Sequence, residues 1–319
     1  MLRYLVVRLG QALIVVVLVT VIAFLILHAL PGGVARATLG KDATLDQLAA
    51  FNHANGYDKP WFQQYLLYLG RLLHGNLGYS YQLNQSVIQA ILQRLPKTMV
   101  LSLFSTVLAI VVAIPLGVIQ AVRRNRAADY TITSLSLLAY ATPIFFMGLM
   151  MIILFSQKWP ILPPEAPQGF TVGEVLADPA GLVLPVVTLA IVTVATYSRY
   201  VRSSMVDNLN ENYVRTARSK GLPEWRVVLV HTLRNGLFPI IGLLGMYLPA
   251  LFSGALVVES LFNYPGMGQL FWQAALKRDY PILLGVTLII SIATVVGSLV
   301  ADLLYAAADP RVRLRGSSS

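Results

Sequence analysis

Long apolar runs alternate with shorter polar segments along this chain of 319 residues. A helix that crosses a membrane needs about 20 mostly apolar residues. The pattern therefore predicts an all-α, polytopic membrane protein, and we expect the first run to be an uncleaved signal anchor because it is too long for a cleaved signal peptide. The six predicted spans are Leu9–Leu30, Met99–Val122, Ile132–Ser156, Leu182–Val201, Leu237–Val258 and Ile282–Tyr305.

The spans divide the chain into an N-terminal transmembrane helix at 1–30, a polar segment at 31–98, a five-helix core at 99–305 and a tail at 306–319. The polar segment contains a helix-start pattern from Asp42 to Gln47, followed by an amphipathic stretch with an aromatic face. We predict either a cap packed on the membrane surface or a docking surface for an external partner. Within the core, Gln157–Gly181 is rich in proline and predicts an irregular loop.

Composition and charge support a membrane protein. Hydrophobic residues make up 56% of the chain and charged residues only 12%, about half the charged share of a typical soluble protein. If the N-terminus is cytoplasmic, fifteen of the 24 Lys and Arg residues fall in cytoplasmic segments, as the positive-inside rule requires. We therefore expect both termini in the cytoplasm. The net charge of +10 is explained by topology and by the anionic inner leaflet, so no nucleic-acid partner is expected.

Several kinds of chemistry are missing from the sequence. The chain has no cysteine, which excludes disulfides, thiol catalysis and iron–sulfur clusters. It has no GxxxxGK[ST] motif for ATP and no HExxH pair for zinc, and its four histidines are scattered. We therefore expect no catalytic residue, no metal site and no cofactor, and we expect that the protein is not an enzyme. The lack of acidic residues at mid-membrane argues against an ion-coupled secondary carrier without excluding it.

A basic insert, "ENYVRTARSKGLPEWRVVLVHTLRNGLFP", separates the fourth and fifth spans. Asn210 is the predicted N-cap of a first helix, Gly221 the left-handed residue that ends it, and Pro223 the start of a second helix. The predicted cytoplasmic loop, 207–236, contains most of this insert, which is either anchored to lipid headgroups or connected to a cytoplasmic partner. The apolar face predicted for the second helix consists of Val227, Val230, Leu233 and Leu237.

This insert resembles the EAA loop of the permease subunits of binding-protein-dependent ABC importers, and in particular the dipeptide, oligopeptide and nickel branch. Gly221 and Pro239 match the glycine and proline of that loop, whereas Arg215–Thr216–Ala217 replaces the acidic–Ala–Ala triplet. Three further segments resemble the same branch in the same order, so that the resemblance covers nearly the whole chain. They are "HGNLGYSYQLNQSVIQAILQRLPKTMVLSL", "YATPIFFMGLMMI" and "VVESLFNYPGMGQLFWQAALKRDYPILLG".

The resemblance implies a type I ABC importer permease fold in a bacterial or archaeal cytoplasmic membrane. The implied partners are a second homologous permease subunit, one or two cytoplasmic ATPase subunits that bind ATP and Mg²⁺, and an extracytoplasmic solute-binding protein. The implied ATPase-coupling residues are Tyr213, Arg215, Thr216, Ala217, Arg218, Lys220, Gly221 and Pro239. The implied extracytoplasmic motif loop contains Glu259, Pro265, Gly266, Gly268, Asp279 and Pro281.

Di- and oligopeptides are the cargo that this resemblance favours. Nickel chelates, glutathione and haem stay open as alternatives, because a separate binding protein largely sets the specificity of such an importer. An uncharged lining would suit a pathway that does not grip its cargo. The candidates for that lining are Tyr140, Thr142, Phe145, Phe146, Tyr197 and Tyr247.

Overall fold

The computed structural model describes residues 2–29, 33–40, 42–237 and 255–308, which are mostly helical. A hairpin of two-residue strands, β1 (Tyr79–Ser80) and β2 (Gln85–Ser86), is the exception to the all-α prediction. The helices are α1 (Leu2–His28), α2 (Gly33–Leu39), α3 (Leu45–Asn55), α4 (Trp61–Leu73), α5 (Val87–Val122), α6 (Ala127–Ala141), α7 (Ile144–Ile152), α8 (Val172–Ala177), α9 (Pro179–Leu209), α10 (Asn212–Ser219), α11 (Glu224–Arg226), α12 (Leu233–Gly236), α13 (Leu256–Leu261), α14 (Met267–Lys277) and α15 (Tyr280–Ala308). Two π-helical turns, Ile153–Lys158 and Val227–Thr232, continue α7 and α11.

Among the described residues, three helices are long and apolar enough to cross a membrane, namely α5, α9 and the Tyr280–Val300 part of α15. The bent pair of α6 with α7 and its π-helical turn makes a fourth if the pair forms one span, and α1 contains a shorter apolar stretch, Gly10–Ile26. Most of the predicted fifth span, Leu237–Val258, lies outside the described residues, as does most of the tail. Six spans therefore stay a prediction, while a multi-pass arrangement is clear.

The third predicted span, Ile132–Ser156, is not one continuous helix. Helix α6 and the α7 segment meet at an angle of 102°. Pro143 causes the break, because it has no N–H to donate and because a proline disfavours the helical conformation of the residue before it. Thr142 accordingly adopts an extended conformation, with φ −76° and ψ 126°. Hydropathy located this apolar segment correctly but could not show its bend.

The 31–98 segment folds into α2, α3, α4 and the hairpin. The predicted helix start is confirmed, since Thr44 and Gln47 form a reciprocal capping box at the beginning of α3. The aromatic face of α4 packs on α1: the Tyr65 hydroxyl lies 2.9 Å from Thr20 Oγ1, and its ring stands 5.4 Å from that of Phe24. The segment is therefore packed on the first helix.

Two helices begin where the sequence predicted otherwise. Helix α5 starts at Val87, twelve residues before the predicted span, because Ser86 caps it. The proline-rich segment 157–181 contains α8, which contradicts the irregular loop predicted there. The Thr171 hydroxyl accepts a hydrogen bond from the Glu174 N–H and provides the N-cap that starts this helix.

Helices α5 and α9 pack closely against each other in the core. A Cβ added at Gly117 would lie 2.5 Å from Val201 Cβ and 2.7 Å from the Ser198 carbonyl oxygen. Real Cβ atoms do not approach other atoms so closely, so the two backbones can meet here only because the residue on α5 is glycine. Small residues allow the same close contact between many membrane helices.

We predict that Gly117→Ala destabilises the protein by about 1–3 kcal/mol, because the added methyl group must push α5 and α9 apart. Thermal unfolding of the purified chain in detergent measures this effect. Gly173→Ala is the matched control, since Gly173 lies in α8 with only one atom near its added Cβ, at 3.9 Å. Equal melting temperatures for the two variants would contradict the close α5–α9 contact.

Candidate functional site

Helix α10 has one buried face and one basic, exposed face. Val214 and Ala217 are buried in a small cluster with Val227, the first residue of the π-helical turn after α11. The side chains of Arg215 and Lys220 are exposed. The helix is therefore attached to the rest of the chain on one side and presents positive charge on the other.

Gly221 ends α10 in the left-handed conformation that the sequence predicted, with φ +73°. The Gly221 N–H donates to the Arg218 carbonyl oxygen (2.9 Å) and the Leu222 N–H to that of Ala217 (3.4 Å). These two hydrogen bonds define a Schellman motif, and Leu222 adds its usual apolar contact by packing on the Ala217 cluster. A Cβ added at Gly221 would meet nothing within 4 Å, so only the backbone conformation requires glycine.

Two details of the predicted insert are wrong. Glu211, not Asn210, is the N-cap of α10, because Asn210 still closes the last turn of α9. Val230 is exposed, whereas Val228 is buried. The π-helical turn Val227–Thr232 explains the second error, because its i→i+5 hydrogen bonds carry more residues per turn than an α-helix and turn Val230 away from the buried face. Leu233 and Leu237 of the predicted face still pack on the apolar cluster around Met205.

One arginine of α10 has a partner within the insert. Arg218 Nη2 lies 2.7 Å from Glu224 Oε1 and Arg218 Nε lies 3.2 Å from Glu224 Oε2, across the glycine. This hydrogen bonding holds the pKa of Glu224 below its usual value. Both side chains are exposed, so the pair contributes at most about 1 kcal/mol. Within the described ranges, Arg215 has no side-chain hydrogen bond and no ion pair.

The other polar residues predicted in this helix bond locally. The Tyr213 hydroxyl donates to Asn208 Oδ1 (2.7 Å), and the Thr216 hydroxyl donates to the Asn212 carbonyl oxygen (2.9 Å). Both contacts stay within α10 or join it to the end of α9. Of the basic residues on α10 and its C-cap, Arg215 and Lys220 are thus the two that remain available to another molecule.

The insert packs on the end of α9, and α9 is in turn joined to α6 by an ion pair. Met205 of α9 packs on Gly236, where an added Cβ would lie 2.8 Å from its sulfur, and it shares an apolar cluster with Val228. One turn earlier, Arg202 Nε and Nη2 each lie 2.7 Å from an oxygen of the buried Asp129 carboxylate, which ties α9 to α6. A displacement of α10 must therefore move the end of α9.

A second buried carboxylate, Glu259, lies at the other end of α5. Its Oε2 accepts hydrogen bonds from the N–H groups of Gly268 (2.7 Å) and Gln269 (3.2 Å), and its Oε1 accepts from the Thr98 hydroxyl (2.9 Å). The carboxylate thereby satisfies the free N–H groups at the start of α14, where negative charge also suits the helix dipole. The pKa of Glu259 is raised above its usual value, because burial outweighs the lowering effect of these hydrogen bonds. We name this arrangement the Glu259 clamp.

Glycines make room for the clamp. A Cβ at Gly266 would lie 2.3 Å from Glu259 Oε2, and one at Gly268 would lie 2.5 Å from Leu256 Cα. Pro265 is buried between them and the preceding helix. Sequence reasoning grouped these residues but missed Thr98, whose hydroxyl also accepts the Met267 N–H (2.7 Å). A threonine in an apolar run carries no signal that could have revealed this contact.

Asp279 and Pro281 of the predicted motif loop are not part of the Glu259 clamp and lie instead at the start of α15. Asp279 Oδ1 accepts the Ile282 N–H (3.3 Å), so this side chain caps α15. Its Oδ2 accepts the Ser80 hydroxyl, which ties the hairpin to α15. Pro281 occupies the first turn of α15, a position where a proline is tolerated.

The structure brings four of the six lining candidates together at the α6–α7 break. Tyr140, Phe145 and Phe146 are 58%, 56% and 48% exposed, and Thr142 lies between them in sequence. Tyr197 is only 4% exposed and lies within α9. Tyr247 and the coupling candidate Pro239 lie outside the described residues. The lining therefore stays a prediction.

Comparison with known proteins places the chain in a family. A family model described as "Binding-protein-dependent transport system inner membrane component" matches residues 113–314, and the model of the N-terminal part of such components matches residues 1–102. The chain belongs to this family. The larger match covers the α6–α7 break, the ion pair of Asp129 with Arg202, the basic insert and, except for Thr98, the Glu259 clamp. The membrane helices of this permease are therefore those of a multi-pass inner-membrane component.

Individual relatives cover almost the full length of the permease. It is 39% identical to the oligopeptide transport system permease protein AppB of Bacillus subtilis, over 92% of this chain and 94% of that protein. It is 33% identical to the dipeptide transport system permease protein DppB of Escherichia coli, over 98% and 99% of the two chains. It is 35% identical to the di/tripeptide transport system permease protein DppB of Pseudomonas aeruginosa, over the same shares.

We predict that Glu259→Gln lowers the free energy of unfolding by about 1–3 kcal/mol. Every hydrogen-bonding neighbour of this carboxylate is a donor, so the amide NH₂ of glutamine must face another donor wherever it is placed. Thermal unfolding in detergent is the measurement. Glu165→Gln, an exposed glutamate in the segment after α7, serves as the control, and a loss of stability shared by both variants would contradict the clamp.

Proposed function

We propose that this permease is the membrane subunit of an ATP-driven importer and that the insert around Gly221 receives the movement of a separate ATPase. The observation that carries the proposal is the two-faced geometry of α10. Its exposed face presents Arg215 and Lys220 to a partner. Its buried face packs on the segment around Val227, which in turn packs on α9 and α5. A partner that pushes α10 would thus displace two candidate membrane spans.

The partners of the proposed complex follow from the family, whose members serve binding-protein-dependent transport. We infer a second homologous permease subunit, one or two ATPase subunits that bind ATP and Mg²⁺, and a solute-binding protein on the outer side of the membrane. In this arrangement the insert and both termini lie in the cytoplasm, and the Glu259 clamp lies at the opposite side. The permease itself would be a transport subunit without a catalytic site or cofactor.

Di- and oligopeptides are the proposed cargo, because the named relatives are permease proteins for oligopeptide, dipeptide and di/tripeptide transport. The exposed aromatic residues at the α6–α7 break would line the pathway with uncharged surface. Nickel chelates, glutathione or haem could use the same machinery with a different binding protein. An uptake assay with liposomes distinguishes an importer subunit from an ion-coupled carrier. As an importer subunit, this permease alone should transport nothing under any ion gradient, whereas a carrier should.

The first test concerns Gly221, which ends α10 in the left-handed conformation. Gly221→Val should abolish peptide-stimulated ATP hydrolysis and uptake by the reconstituted complex, because a β-branched residue at φ +73° costs more than about 1 kcal/mol and distorts the end of α10. Gly221→Asn is the matched control. Asparagine tolerates the left-handed region, and this chain already places Asn84, Asn125 and Asn263 there. Both variants should insert into the membrane normally, and full transport by the valine variant would refute the assignment.

The second test separates the two arginines of α10. Arg215→Glu should lower co-purification with the ATPase subunits about tenfold, because a free interfacial cation is reversed. Arg218→Glu should lower it as well, and the double variant R218E/E224R should recover most of the loss by restoring the pair across Gly221. Arg226→Glu is the control, as an exposed arginine that follows α10. If the Arg215→Glu variant co-purifies with the ATPase subunits as well as the unchanged permease does, Arg215 contributes to membrane topology and not to the interface.

A further inference from the structure

A cavity of about 530 Å³ lies between the 31–98 segment and α15, away from the insert and the α6–α7 break. One wall consists of Pro281, Leu284, Gly285 and Leu288 of α15. The facing wall belongs to α2, α3, α4 and the hairpin with the residues just before it, and it contains several aromatic side chains together with Arg71. The cavity therefore has an apolar side on a membrane helix and a polar, aromatic side on the cap.

We expect the two walls to lie at different depths in a bilayer. The candidate span in α15 begins at Tyr280, and Leu288 follows eight residues later, about 12 Å along the helix at 1.5 Å per residue. The facing wall carries Tyr57, Tyr68 and Tyr79, and tyrosines are typical of the headgroup level of membrane proteins. A molecule that fills this cavity must be apolar at the α15 end and polar at the cap end.

Arg71 determines the charge that the cavity favours. Its Nη1 donates to Asn55 Oδ1 (3.3 Å), and its guanidinium carbon lies 5.6 Å from the centre of the Tyr57 ring. Throughout the described parts of the chain no carboxylate lies within 4 Å of this guanidinium, and no Asp or Glu lines the cavity. Most of its N–H donors are thus available to an anion, and a guanidinium suits phosphate particularly well.

Tyr68 adds a second donor next to this cation. Its side chain lines the cavity one turn before Arg71. Burial raises the pKa of Tyr68 to about 12, so that its hydroxyl stays protonated and can donate a hydrogen bond at physiological pH. A cation and a neutral donor side by side are complementary to a phosphate group.

We propose that this cavity binds a phospholipid from the leaflet next to the 31–98 segment, with its phosphate at Arg71 and an acyl chain along Leu284 and Leu288. An anionic headgroup such as that of phosphatidylglycerol is favoured, because the cavity offers a cation and no carboxylate for the ammonium of phosphatidylethanolamine. The lipid would fill the space between the cap and α15. A peptide is a poorer occupant, since it would bring its own ammonium group to this positive wall.

Native mass spectrometry of the full-length permease in mild detergent tests the proposal, with phosphatidylglycerol added at equal molar excess to each variant. Arg71→Gln should lower lipid retention about tenfold, since it removes the charge-assisted contact to the phosphate. Ala54→Trp should lower it to a similar extent although Arg71 is kept, because Ala54 lines the cavity at an exposed position and a tryptophan there would fill it. Phosphatidylethanolamine should be retained several-fold less by the unchanged protein.

Lys59→Gln is the matched control, because it removes an exposed cation from the same cap outside the cavity and should leave retention unchanged. Equal retention by Arg71→Gln and Lys59→Gln would overturn the proposal. Displacement of the lipid by a dipeptide, equally strong binding of glycerol phosphate alone, or absence of the lipid from the assembled importer would also overturn it. None of these variants touches the insert, so the outcome is independent of the coupling experiments.

Discussion

The close contact between α5 and α9 at Gly117 holds the described helices in one arrangement. Thr98, in the first half of α5, donates a hydrogen bond to Glu259 of the clamp. Val118, near the end of α5, packs in one cluster with Val228 of the insert. These two positions are 20 residues apart, or about 30 Å along the helix. Because α9 packs along α5 and then continues towards α10, any movement of the basic insert reaches the helix pair directly.

Two buried carboxylates stabilise the ends of this pair by different means. Asp129 is neutralised by Arg202, in a two-pronged ion pair that joins α6 to α9. Glu259 has no cation within ion-pair distance among the described residues and is instead stabilised by backbone N–H groups and a hydroxyl. Removing one partner of a buried charge is costly in either case. The end near the insert is thus held by side chains, and the opposite end by backbone geometry that only glycine permits.

Local rules predicted those features whose cause lies within a few residues. The left-handed Gly221 and the helix start predicted within Asp42 to Gln47 are confirmed, because a cap depends on its own turn and little else. The same rules failed at Val230, where a π-helical turn shifts the buried face, and at Asn210, which belongs to the preceding helix. Periodicity assumes a regular helix, so one extra residue in a turn is enough to misplace a side chain within that turn.

The amino-acid sequence by itself determined the helical membrane character, the order of the motifs and the helix–glycine–helix insert, since hydrophobicity and backbone preferences are properties of short segments. Only the tertiary structure showed that Thr98 reaches Glu259, that Arg202 pairs with Asp129, and that Arg71 faces α15 across a cavity. Each of these groups meets its counterpart on another element, most of them far along the chain. Such contacts depend on how helices cross, and the crossing depends on packing that no short stretch of residues encodes.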